Sequence, residues 1–107
     1  DRLFMGARNL NIDNYTIVVN SGNGIDMVSG TLDTVDITMP SGKALLIGEN
    51  CASAAEYSAD IAGVTITNCT IDAGSGAPLY VNEEGKAVNL TISGSTLKST
   101  VPFSPWG

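Results

Sequence analysis

Two short stretches of this chain gather acidic side chains: Glu49, Glu56 and Asp60 in one, Glu83 and Glu84 in the other, with Lys86 the only base between them. Carboxylates that converge from neighbouring segments suit hard cations, because calcium takes about six to eight oxygen ligands. A weak calcium site or a ligand-binding edge is therefore the functional reading. The plainer reading, acidic loops kept soluble by their charge, is preferred, since neither stretch has the Asp-rich alternation of a specific calcium loop. No other metal or cofactor is expected. The chain has no histidine, so imidazole acid–base chemistry is absent. Its only arginines, Arg2 and Arg8, stand near one end, far in sequence from the acids.

Cys51 and Cys69 match no zinc or redox spacing. One disulfide between them and two separate thiols are both open. The thiols are preferred, because Cys69 falls in an inward strand position, where cysteine behaves as a small hydrophobe. Asn14, Asn68 and Asn89 each begin an Asn-x-Thr sequon and are candidate glycosylation sites. The competing reading gives Asn14 and Asn68 a backbone task at a bend and makes Thr16, Thr70 and Thr91 outward strand residues.

The elements that must position these residues are strands. Only 15% of the 107 residues are charged and 6% aromatic, while 43% are apolar and Gly alone contributes 12. That mixture, rich also in Ser, Thr, Asn and Asp, suits short strands joined by tight turns. A net charge of −6 leaves no basic footprint for nucleic acid. No apolar run approaches the roughly 20 residues that span a bilayer. With Asp1 first and no signal-like segment, the chain reads as a mature product or an excised piece.

Three segments superpose: Leu10–Ile17, Val64–Ile71 and Leu90–Leu97, with a fourth copy at Gly30–Ile37. Each alternates apolar and polar, steps once, and returns to an inward position and an apolar residue, which is the periodicity of a strand. Ser21-Gly22, Ser41-Gly42 and Ser75-Gly76 follow at a constant interval, and then come Ile25 and Met27, Leu45 and Ile47, Leu79 and Val81. The step falls at Asp13-Asn14, Asp33-Thr34, Thr67-Asn68 and Ser93-Gly94. Asn and Gly enter the left-handed region cheaply; Thr34 does not, so a distortion is expected there. Stacking the copies puts Ile12, Leu32, Ile66 and Ile92 in one column, Ile17, Ile37, Ile71 and Leu97 in a second, and Ile25, Leu45 and Leu79 in a third. The fold expected from this pattern is an all-β, right-handed parallel β-helix (a β-solenoid) with about three complete coils and partial terminal coils. It forms one domain over 1–107, with coils over 3–100 and a terminal tail over 101–107. The rival is an antiparallel sandwich.

From Ile12 to Leu32 is 20 residues, from Leu32 to Ile66 is 34, and from Ile66 to Ile92 is 26. The extra length falls at about 48–63 and 82–87, the two acidic stretches. Insertions at one corner of a stacked array project from one edge, often the binding edge. The column Thr16, Asp36, Thr70, Thr96 is too interrupted for an ice-binding face. Pro102 and Pro105, which cannot continue a ladder, place Phe103 and Trp106 in a tail that ends or covers the stack.

At Val64-Thr-Ile66-Thr-Asn68-Cys69-Thr70-Ile71 the chain resembles the pectate-lyase-like superfamily of right-handed parallel β-helices. Gly76-Ala-Pro-Leu79-Tyr-Val81 is similar to segments in the repeat regions of large bacterial surface proteins. The resemblance, over about residues 3 to 99, implies fold more than activity. The hydrolases of that superfamily imply clustered aspartates with G-H-G and R-I-K segments, and its lyases imply calcium-binding acids beside a base. Neither set is present. The expectation is a non-catalytic extracellular or cell-surface module, structural or adhesive, whose partner is itself, end to end, or further coils of a longer chain. A carbohydrate-binding unit, or a fragment of a polysaccharide-degrading enzyme, is the alternative, with glycans as partners; nucleic acid and membrane insertion are not expected.

Overall fold

In a computed structural model the described residues are 2–48, 63–81 and 89–104. Among them ten strands follow one another: β1 (Phe4–Ala7), β2 (Leu10–Val18), β3 (Ile25–Met27), β4 (Ser29–Thr38), β5 (Lys43–Ile47), β6 (Gly63–Thr67), β7 (Thr70–Asp72), β8 (Ala77–Val81), β9 (Leu90–Ser93) and β10 (Thr96–Lys98). Each carries the period-two alternation or β-branched content that a pleated, half-buried surface favours. All the pairings are parallel.

The strands form two sheets. One has four strands in the order β1-β3-β5-β8. The other has six, ordered β10-β7-β4-β6-β9 with β2 paired to β4. Residues expected in common columns are paired: Ile12 with Leu32, Leu32 with Ile66, Ile66 with Ile92, Ile37 with Ile71, and Leu45 with Leu79. The apolar sides of both sheets contribute to one core in which Ile25, Leu32, Ile37, Leu45, Ile66 and Ile71 are buried. A parallel sheet needs this cover, because its apolar residues must be taken out of water.

The fold class expected from the sequence needs correction. The architecture is two separate parallel sheets in a small globule, 34 × 26 × 24 Å, rather than a right-handed parallel β-helix of about three complete coils. The physical reason lies at the first bend. Asn14, Thr34, Asn68 and Gly94 all have φ between 54° and 59°, as a left-handed step requires. Yet β2 and β4 run straight through it, and the strands on both sides stay in the six-stranded sheet. Three expected strand columns thus fall onto two sheets.

Thr34 also corrects an expectation. It adopts φ 56° without disturbing its strand: Asp13 pairs with Asp33 before it and Tyr15 with Val35 after it. Its hydroxyl donates to Asp33 Oδ1 at 2.9 Å, as the Asn14 amide does to Asp13 Oδ1 at 3.1 Å. The short polar side chain does locally for threonine what it does for asparagine. At the second bend the left-handed residue is Gly22 or Gly42 in the first two copies, but Gly74 in the third. There Gly76 is required for a different reason: a Cβ on it would run into the backbone of Gly42.

Candidate binding surface

The acidic residues singled out above, Glu49, Glu56, Asp60, Glu83 and Glu84, lie outside the described residues, as do Lys86, Cys51 and Trp106. Among the described residues no group of three or more His, Cys, Asp or Glu side chains could hold a metal ion. No helix among them is long and apolar enough to cross a membrane.

Of the sequons, Asn14 and Asn68 occupy the left-handed step with exposed side chains, and Asn89 is exposed just before β9. The carbonyl of Asn89 accepts the Val64 N–H at 2.9 Å. Cys69 carries a free thiol that is 1% exposed and donates to the carbonyls of Leu32 and Thr67, each at 3.4 Å. Burial pushes this thiol above its ordinary pKa, the opposite of what a nucleophilic cysteine needs.

Two polar features were missed by sequence reasoning. Asp26, centred on β3, is buried and forms an ion pair with Arg2. In Ile25-Asp26-Met27 the alternation points Asp26 away from the core, and nothing local signals that its own side is covered too. Removing charge from water is expensive, so a partner is needed. Arg2 therefore serves as a counter-ion for the four-stranded sheet. The ammonium of Lys43 lies 4.1 Å from the centroid of the Tyr80 ring, a cation–π contact that occupies that aromatic face.

The most site-like geometry lies at the N-terminal edge. A cavity of about 320 Å³ opens there, lined by Leu3, Phe4, Leu10, Ile12, Tyr15 and Ile17, with Asn11 as its polar member besides the Tyr15 hydroxyl. These residues begin the apolar columns, and among the described residues no strand pairs beyond them. Phe4 is 36% exposed and Tyr15 64%. Their counterparts Leu45 on β5 and Val35 on β4, with strands on both sides, are buried. The far edge of the six-stranded sheet is open as well: β9 and β10 leave Ile92 exposed and Leu90 and Leu97 half-buried, and the tail beyond adds exposed Val101 and Phe103.

No family model, curated protein or solved structure matches this chain. The pectate-lyase-like resemblance thus rests on the motif around Asn68 and Cys69 alone.

Proposed function

We propose that this chain is a non-catalytic structural or adhesive module whose open sheet edges are covered, in its working state, by further parallel β-structure. The observation that carries this reading is the apolar N-terminal edge, where Leu3, Phe4 and Tyr15 stand exposed around a cavity lined largely by β2. Soluble proteins cover or charge such edges, because unpaired N–H and C=O groups beside apolar side chains invite another strand. Here Tyr15 and Val18 stay exposed on β2, and the strand carries a single charge, Asp13. An extracellular or cell-surface setting goes with this proposal on the strength of composition, poor in charge and rich in Ser, Thr, Asn and Gly.

The carbohydrate reading has one observation in its favour, the exposed Tyr15 ring at the cavity mouth. Sugars need several convergent hydroxyl partners, however, and this lining is largely apolar. Purified protein incubated with a panel of polysaccharides is expected to release no reducing or unsaturated sugar and to show no binding on a glycan array. Release that a single substitution abolishes, or saturable glycan binding lost in Tyr15→Ala, would overturn the structural reading.

A further inference from the structure

We propose that the partner of the N-terminal edge is a second copy of this chain, with β2 of one copy continuing the parallel ladder beyond β9 and β10 of the next. This deepens the structural reading above and rests on it.

The register of the six-stranded sheet is continuous. Pairing runs from β2 through β4 to β6 and β7, and from these to β9 and β10, without a slip: Thr16 beside Asp36, Asp36 beside Thr70, and Thr70 beside Thr96. In a parallel ladder the two free edges are unlike and complementary, since each strand presents to one side the groups its neighbour accepts on the other. A copy placed one strand spacing beyond β9 and β10, about 4.8 Å, therefore offers β2 the backbone pattern that β4 already receives from β2.

The side chains fit the same placement. Ile12 would meet Ile92 and Ile17 would meet Leu97, closing columns that are open at both ends. Gly94, with φ 59°, would receive Asn14, with φ 58°, so the left-handed steps coincide. Bulky Tyr15 would lie against small Ser95. On the outward side the new neighbours are Asn11 with Thr91, Asp13 with Ser93, Thr16 with Thr96 and Val18 with Lys98, none of them like-charged. An antiparallel pairing of β2 with its own copy would use neither the register nor the matching steps. Because the contact joins unlike edges, repeating it gives an open row of copies rather than a closed dimer.

The test uses exposed positions, so that folding is retained. In a Cys51→Ser background, Thr16→Cys and Thr96→Cys proteins are prepared separately and then mixed under mild oxidation. Neighbouring parallel strands place these residues within disulfide reach. The expected result is a disulfide-linked dimer in the mixture and little in either protein alone. Sedimentation of the unmodified protein should show species that grow with concentration, and Tyr15→Lys, which puts a charge in the cavity, should remain monomeric with an unchanged circular dichroism spectrum. Three results would overturn the proposal: a monomer at every concentration, Thr16→Cys protein that cross-links to itself, or larger species with no mixed disulfide. A monomer that also releases no sugar would overturn the self-pairing alone, whereas sugar release would remove the structural reading beneath it.

Discussion

The two edges of the four-stranded sheet are built from similar residues and are finished differently. At the β1 edge Phe4 is 36% exposed and Met5 71%; at the β8 edge Leu79 is 5% exposed and Val81 fully buried. Part of the difference is visible in the chain that follows β10. Ser99 Oγ donates to the Gly76 carbonyl at 2.7 Å, and the Thr100 N–H donates to the Gly74 carbonyl at 2.8 Å. The C-terminal segment is thereby fastened at the entrance to β8, and β10 lies near β8 although the two belong to different sheets. At β2, where the cavity opens, Tyr15 and Val18 are instead exposed. An apolar column is equally apolar along its length; what decides the state of its end is whether some later stretch of chain has polar groups placed to hold it there.

The difference between a covered and an open position shows most strongly when one column is truncated at its middle and at its end. Ile71 is buried between β4 and β10 in the six-stranded sheet, with Ile37 and Leu97 as its paired neighbours. Ile71→Ala is expected to destabilise the protein by about 2–5 kcal/mol, the range for a large-to-small change in a packed core. Ile17→Ala, in the same column but half-buried at the open edge, should cost clearly less, because its side chain is only partly removed from water in the first place. Urea unfolding of both variants checks this. Equal losses would mean that the N-terminal edge is covered under the conditions of measurement, which would itself point to association.

These columns were legible in the sequence because a strand's period is two and one slip would turn every side chain to the wrong face. Ile12, Leu32, Ile66 and Ile92 could therefore be aligned from spacing alone, and Asn14, Asn68 and Gly94 could be assigned the left-handed step from their chemistry. The number of sheets was not legible. A left-handed residue signals a bend but not how far the strand turns, and at Asn14 and Thr34 it turns too little to leave the sheet. Thr34 itself misled because its cost is offset by a hydrogen bond to Asp33, a side-chain term that propensity does not contain. Nor was the Arg2–Asp26 pair legible, since it joins residues 24 apart across a face that alternation alone leaves to solvent. The cavity was not legible either: the spacing that aligns Ile12 and Ile17 with their columns does not say how Leu3 and Phe4 sit beside them.

A second, smaller effect probes the fastened end. Ser99→Ala removes the hydroxyl that holds the tail to Gly76 and should lower stability by about 1 kcal/mol, the usual net worth of such a bond. Its more telling consequence is local. Amide hydrogens of β8 should exchange faster in the variant while those of β4 are unchanged, since openings at an edge need not unfold the centre. Uniform acceleration across both strands would show that the tail contributes to the whole core rather than to one edge.

The smallest expected effect concerns the middle of the molecule, and it sets a reference for both ends. The Cys69 thiol is held above its ordinary pKa by burial, so the folded chain keeps its proton at a pH where the unfolded chain releases it. Stability from this source is therefore fully present below the unfolded thiol's value, near 9, and is lost as pH rises from there toward the raised folded value. Cys69→Ala and the unmodified protein should show a constant stability difference up to about pH 8, narrowing above it. The same thiol should resist alkylation in the folded state at pH 8 and react once urea unfolds the chain. If it were modified rapidly without denaturant, the column Val35–Cys69–Ser95 would be open at its centre. The contrast between a closed middle and an exposed N-terminal edge would then have to be abandoned.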